Sequence, residues 1–195
     1  MSRFFRKQLQ KNRGFGSTPL KAVQTQLSGG VTGNEETVGF MQQIGRARAG
    51  DIRVRSAALS IIKSLGSQDY WDEAYAIGAW VQKNVRYVRD PDGIEQLTDP
   101  VTLLDQIQKG NGAQGDCDDM SLLIASLLLS IGHQPLYRCV RFRGETSGPF
   151  EHIYVVVNEE NHGDAAPSLL ALDAILKRKP IGTEVPYSSY SDYPA

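Results

Sequence analysis

Gly115-Asp116-Cys117-Asp118-Asp119-Met120-Ser121-Leu122-Leu123-Ile124-Ala125-Ser126-Leu127-Leu128-Leu129 is the stretch on which the fold turns. Its apolar residues fall on nearly every side of the helix it predicts, which marks a central, buried helix. Asp116 stands at the N-cap position, where its side-chain oxygen can accept from the free N–H groups of the first turn. Cys117 then opens the helix at the positive end of the helix dipole, which favours a thiolate. The carboxylates of Asp116, Asp118 and Asp119 oppose that thiolate, so a cation must compensate. A cysteine on an apolar helix is ordinarily a small buried hydrophobe. Its place directly after Gly-Asp, at a helix start, sets Cys117 apart.

Beyond Gly132 the pattern changes from helix to strand. Residues 135–143 alternate, with Leu136, Arg138, Val140 and Phe142 against Tyr137, Cys139 and Arg141. Residues 153–158 are a β-branched run of the kind a sheet buries on both faces. Residues 161–167 form a polar loop, and residues 169–175 a third strand. The last stretch, 177–195, holds Pro180, Pro186 and Pro194 and reads as an irregular tail.

Upstream, Val38, Met41 and Ile44 follow helical spacing with Asn34 as a candidate cap. Asp51 caps a second helix carrying Val54, Ala57, Ala58, Ile61, Ile62 and Leu65, and Gly66 ends it. A third helix runs over about 69–85, with Trp71 and Trp80 as core residues. Val85-Arg86-Tyr87-Val88 is β-like and leads to a turn at Pro91-Asp92-Gly93. Residues 93–99 read as a surface excursion, Pro100 begins a short helix, and 109–112 form a loop. Helices first and antiparallel strands after argue an α+β fold. Residues 1–34 differ from the rest. Arg3, Arg6, Lys7, Lys11 and Arg13 make them basic, and five glycines break any periodicity, which predicts a flexible arm. Phe4, Phe5 and Phe15 suggest that it orders on a protein partner.

Composition narrows the function classes. The chain has 195 residues, 41% apolar and 22% charged, as in an ordinary soluble globular protein. A net charge of −1 provides no global field for nucleic acid or an anionic membrane, and neither is expected as a partner. No apolar run approaches the ~20 residues of a membrane span. The basic start lacks an apolar h-region, so no signal peptide is expected and the location is cytoplasmic or virion-associated. Cys117 and Cys139 form no CxxC pattern and are expected to be free thiols.

Two residues at strand edges can partner the Cys117 thiol. His152 precedes the 153–157 run, and Asp173 lies within the third strand. If those strands are antiparallel neighbours packed on the Cys117 helix, the imidazole can accept the thiol proton. The carboxylate can then fix its tautomer and support the imidazolium. Asp116, Asp118 and Asp119 with His152 could instead suggest a Ca²⁺ or Mg²⁺ site. Consecutive helical positions point to different faces, however, so capping and dipole neutralisation are the expected work of these acids. No metal or cofactor is expected. Cys139 reads as a packed thiol, His133 as structural, and His162 as a weak rival base in a loop.

Gly115-Asp116-Cys117-Asp118-Asp119 before an apolar helix, Glu151-His152-Ile153-Tyr154-Val155, and Leu172-Asp173 together resemble the transglutaminase-like superfamily. That superfamily is related in structure to papain-like cysteine proteases and widespread in bacteria and their phages. Val85-Arg86-Tyr87-Val88, Leu97-Thr98-Asp99-Pro100 and Leu103-Leu104 resemble its lead-in, so the likeness covers roughly residues 71–175. It implies a Cys117 nucleophile, a His152 base and an Asp173 orienter. It also implies a papain-like core, a central helix packed on an antiparallel sheet, carrying an N-terminal helical extension. The organisation expected is an arm at 1–34, a helical extension at 35–67, a catalytic core at 68–176 and a tail at 177–195. The backbone N–H of Cys117 is a natural oxyanion donor, and Gln114 and Tyr87 are candidates for a side-chain donor. The function expected is acyl transfer at amide bonds of a protein or peptide, by a peptidase or amidase. The alternatives are transglutaminase cross-linking, and a structural or assembly protein, such as one of a phage particle, that keeps the fold.

Overall fold

The computed structural model describes residues 3–6, 24–66, 69–91, 94–110, 112–145, 147–159 and 168–195. The elements run β1 (Arg3–Arg6), β2 (Gln24–Leu27), α1 (Gly30–Ala49), α2 (Ile52–Ile62), α3 (Tyr70–Asn84), β3 (Val85–Tyr87), β4 (Ile94–Glu95), α4 (Pro100–Gln108), β5 (Ala113–Gly115), α5 (Cys117–Ser130), β6 (Leu136–Phe142), β7 (His152–Glu159), β8 (Ser168–Leu172) and β9 (Tyr187–Pro194). The fold is α+β, as the order of sequence patterns implies.

The apolar helix is central. Leu122, Leu123, Ile124, Ala125, Leu127 and Leu128 of α5 have no exposed surface. Helices α1, α2, α3 and α4 pack around α5, and the sheet meets it through β7. Gly132, at φ 101°, ends the helix, and the His133 N–H reaches back to the Leu128 carbonyl at 3.2 Å. That left-handed residue is one glycine adopts at little cost. His133 is structural as expected: its Nε2 lies 3.0 Å from Glu73 Oε2 on α3.

The helical extension is part of this core. Val38, Met41 and Ile44 of α1 and Val54 and Ala58 of α2 bury in the same cluster as α5 and the inner face of the sheet. Helix α1 also begins earlier than its apolar spacing suggests, at Gly30 with Gly29 as N-cap and no side-chain cap bond. Asn34 is therefore not a cap. It lies in the first turns of α1, and its amide is bonded to the backbone of Phe150, accepting from the N–H at 2.9 Å and donating to the carbonyl at 3.2 Å.

One buried arginine joins three elements. Arg48 of α1 donates through Nε to Asp99 Oδ1 at 2.8 Å and through Nη1 to Asp51 Oδ2 at 3.3 Å. Asp51 caps α2 by accepting from the Arg53 N–H at 3.0 Å, and Asp99 caps α4 through the Val101 N–H at 3.0 Å. Two helix caps thus share one guanidinium in a place where water cannot serve them.

The main sheet is antiparallel, with strand order β8-β7-β6-β9. Its outermost strand corrects the expectation of an irregular tail. Residues 187–194 pair with the whole of β6, from Leu136↔Pro194 to Phe142↔Tyr187. Pro186 and Pro194 sit just before and at the end of an edge strand, where a missing N–H is tolerated. Burial alternates along β9. Asp192 accepts from the buried Arg138 of β6 through two bonds of 2.8 Å. Short strands β3 and β5 pair in parallel, Val85↔Ala113 to Tyr87↔Gly115, and deliver the chain to Cys117.

Two ends of the expected arm are also strands. β1 pairs with β2 and with β4 to form a three-stranded sheet. β4 falls in the stretch expected to be an excursion and offers β1 an edge to pair with. Residues 7–23 of the arm, and the 161–167 loop with His162, lie outside the described residues. No helix among the described residues is long and apolar enough to cross a membrane.

Candidate active site

Cys117 is the first residue of α5, and the Asp116 side chain caps that helix by accepting from the Asp119 N–H at 3.5 Å. The backbone just before it has no room for a side chain. A Cβ on Gly115 would lie 2.7 Å from Asp119 Cβ and 2.9 Å from its Oδ2. Glycine at 115 thus lets the capping aspartate and the folded-back Asp119 share one corner.

The first turn of α5 is fastened to the start of β7. Ser121, one turn after Cys117, donates to the Cys117 carbonyl at 2.6 Å and is 3.2 Å from the Ile153 carbonyl. The Ile153 N–H points at the Cys117 sulfur. β8 pairs with β7 only as far as Val155↔Leu172, so the backbone of Ile153 lies beyond that ladder and can serve the helix.

His152 is the first residue of β7, and Asp173 directly follows β8. This differs slightly from the expectation of a carboxylate inside the strand. Carrying the register Val155↔Leu172 one step further puts Asp173 opposite Tyr154, on the same face as His152. The side chains meet there: His152 Nε2 and Asp173 Oδ2 are 2.8 Å apart, with the two residues 4% and 2% exposed. An ionised carboxylate can only accept, so facing one Nε2 would be the donor, and a neutral imidazole would keep its lone pair on Nδ1. The second oxygen of Asp173 accepts from the Ile175 N–H at 3.3 Å, which holds the carboxylate in place. Phe142 stacks at 6.1 Å from the imidazole and Tyr154 lies at 5.6 Å.

Cys117 and His152 line one cavity of about 380 Å³. Burial, then the Asp116 charge, push the Cys117 thiol well above the usual thiol range, while the Ile153 N–H pulls it down. Burial and the Asp116 charge oppose the thiolate that the helix end favours, so an anionic sulfur calls for a cation beside it. Cys139 also lines the cavity, and burial raises its thiol to about 12. Both cysteines are free thiols.

The two oxyanion candidates part company. Tyr87 lines the cavity, and its hydroxyl is held protonated by burial and by the Cys117 and Asp116 charges. Gln114 is exposed on β5 and lines no part of the cavity, because Ala113 and Gly115 take the buried positions of that strand.

The acidic residues are arranged differently from the expectation. One oxygen from each of Asp116, Asp118 and Asp119 lies within 4.8 Å of the others, although adjacent helical side chains should diverge. Asp116 is an extended cap and not a helical residue, so its side chain turns back over the first turn. Asp119 is committed to the chain ahead of α4, accepting from the Thr98 N–H at 2.5 Å and the Thr98 hydroxyl at 3.1 Å. Asp118 Oδ1 accepts from the Asp119 N–H at 2.8 Å, and its Oδ2 is buried without a partner. Burial and then the Asp116 charge raise both Asp118 and Asp119 well above the usual carboxylate range.

Sequence reasoning missed Ser121, Asn34 and Asp90 as parts of this site. Ser121 had a signal, since a residue four positions after Cys117 shares its helix face. Asn34 and Asp90 had none, because both reach the cavity through contacts far away in sequence.

No family model and no curated protein matches this chain. Among solved structures it is similar to LapG of Legionella pneumophila, with a TM-score of 0.40 and 17% identity over 75% of this chain and 76% of that one. The EGTA-treated form of the same protein is similar at a TM-score of 0.39 and 17% identity, covering 76% of this chain and 74% of that one.

Proposed function

We propose that this protein is a cysteine-dependent acyl-transfer enzyme that cleaves amide bonds of a protein or peptide, with Cys117, His152 and Asp173 as nucleophile, base and orienter. The observation that carries this is the buried His152–Asp173 pair opening on the same cavity as a thiol at a helix start. The resemblance of the flanking motifs to the transglutaminase-like superfamily supports it.

In this mechanism the Cys117 proton passes to His152 Nδ1, and the resulting imidazolium is stabilised by Asp173. The thiolate attacks the amide carbonyl, and the oxyanion is met by the Cys117 N–H, with the Tyr87 hydroxyl as the side-chain candidate. The C–N bond breaks as the imidazolium returns its proton to the leaving amine, and a thioester remains. Water, deprotonated by His152, then attacks the thioester and releases a carboxylic acid and the thiol. An amine in place of water would give cross-linking by the same residues. Hydrolysis is the outcome proposed here.

Residues 187–194, expected from the sequence to belong to an irregular tail, are a strand of the core sheet. The test is incubation with unstructured protein substrates with and without a labelled primary amine, followed by mass spectrometry. Cleavage that is lost in Cys117→Ala, without amine incorporation, is the expected result. Absence of both cleavage and incorporation, together with Cys117 alkylation no faster than that of a free model thiol, would sink the proposal.

A further inference from the structure

We infer that Asn34 is the positioning residue of the proposed base: its carboxamide clamps the backbone of Phe150 and so fixes His152, at the start of β7, relative to the helix that carries Cys117. What His152 is positioned to do rests on the acyl-transfer proposal; that its end of the strand is held through α1 does not.

The strand needs such a clamp because its pairing stops short. The β6–β7 ladder ends at Val140↔His152, and the β7–β8 ladder ends at Val155↔Leu172. His152 is thus the last paired residue of β7, and it is paired on one side only. Phe150 lies beyond both ladders and is 8% exposed, so its backbone groups need partners from the protein. Asn34 serves both groups, accepting from the Phe150 N–H at 2.9 Å and donating to its carbonyl at 3.2 Å. A carboxamide offers one donor side and one acceptor side, as a peptide group does, and so stands in for the missing strand neighbour. The same segment is fastened to β6 by the Glu151 N–H on the Val140 carbonyl at 3.0 Å and by the Phe142 N–H on Glu151 Oε2 at 3.0 Å. Those bonds hold it to the sheet, and Asn34 holds it to α1.

Helix α1 is a firm reference for the clamp. Its Val38, Met41 and Ile44 bury in one cluster with Leu122 and Leu123 of α5. Gly45 lets α1 come close, since a Cβ there would lie 3.3 Å from the Tyr137 hydroxyl and 3.7 Å from Leu122. The start of α1 is tied down as well: the Ser28 N–H and hydroxyl both donate to Glu36 at 2.8 Å. One helix therefore locates both the helix of the thiol and the strand of the imidazole. Asn34 also lines the cavity that Cys117 and His152 share, so the clamp stands at the site itself.

The experiment compares Asn34→Ala with Gln42→Ala in the full chain. The second variant removes another bond from α1 to the sheet, Gln42 Nε2 to the Pro194 carbonyl at 2.6 Å, and Pro194 pairs with Leu136 at the other end of β6. Proton–nitrogen spectra of isotope-labelled histidine read the imidazole tautomer, with the His152 signal assigned by its loss in His152→Gln. The neutral imidazole should be the Nε2–H tautomer in the parent and in Gln42→Ala, and a second tautomer should appear in Asn34→Ala. Where the triad operates, Cys117 alkylation near pH 7 in a Cys139→Ala background should also fall by about tenfold or more in Asn34→Ala, and by less than about twofold in Gln42→Ala. An unchanged His152 signature in a folded Asn34→Ala overturns the inference. So does an equal change in Gln42→Ala, because a bond that only steadies the fold would act from either place. If Asn34→Ala does not fold, Asn34→Asp is judged by the same readings, since it keeps the acceptor for the Phe150 N–H and loses the donor to the carbonyl. A tautomer change in Asn34→Ala, with Cys117 in the parent no faster than a free model thiol, would leave this inference standing and remove the acyl-transfer proposal. Slow Cys117 alkylation in His152→Ala, with no change in Asn34→Ala, would do the reverse.

Discussion

Replacing Asp173 with asparagine tests the proposed chemistry most directly. Asparagine keeps the size of the side chain and an oxygen for the Ile175 N–H, so the turn after β8 retains its bond. What it loses is the negative charge 2.8 Å from His152 Nε2. For unit charges about 4 Å apart at an effective dielectric constant of ~20, the interaction is about 4 kcal/mol. A difference of about 1.4 kcal/mol is a factor of ten, so losing that interaction disfavours a Cys117 thiolate–His152 imidazolium ion pair by two to three powers of ten. In the proposed triad the thiolate of Cys117 depends on that imidazolium, because burial and Asp116 both oppose it. The assay is the rate of Cys117 alkylation by a small neutral reagent from pH 6 to pH 9, in a Cys139→Ala background. Near pH 7 the Asp173→Asn rate should fall by about 100-fold or more. The remaining reactivity should rise steadily with pH, as for an isolated thiol. A change of less than about threefold, in a variant that melts like its parent, would show that Asp173 does not support a cation at His152.

Other substitutions test the frame around the site. Arg48→Ala should cost about 3–5 kcal/mol in denaturant melts, because it leaves Asp99 buried without its cation, while Asp51 keeps the Arg53 guanidinium at 2.8 Å; a loss below about 1 kcal/mol would contradict this account of the buried pair. Gly115→Ala should lower both the melting temperature and the Cys117 alkylation rate, since its new methyl would collide with Asp119; an unchanged rate would mean that the corner relaxes freely. Asp90 has a folded-state carboxyl raised to about 7 from 3.8, so ionising it disfavours the folded state as pH climbs through that range. Asp90→Asn should therefore melt above the parent at pH 8 and converge with it near pH 4, and the opposite trend would refute the assigned shift.

The features legible in the sequence were local ones. Asp51 and Asp116 cap their helices because a side chain two or three residues from an N–H needs no distant partner. Gly132 ends α5 for the same reason. The antiparallel hairpin of β6 and β7 follows from two apolar runs joined by a turn. β9 was hidden because Tyr-Ser-Ser-Tyr-Ser-Asp-Tyr has no apolar stripe and lies between prolines. Its pairing depends on the open edge of β6 and on Arg138, which finds Asp192 from 54 residues away. Gln114 and Tyr87 were equal candidates until the parallel β3–β5 pair set which of them faces the cavity.

Residues 115–129 by themselves determined a capped, buried helix opening on a thiol, since capping and periodicity act within a few residues. Tertiary structure decided what surrounds the sulfur. The end of the β7–β8 ladder frees Ile153 to meet Cys117 and Ser121, and the same register brings His152 against Asp173. The non-helical backbone of Asp116 gathers three carboxylates that helical geometry alone would separate. Burial then opposes the preference of the helix end for a thiolate, because desolvation of a charge depends on everything packed around it and on no single stretch of chain.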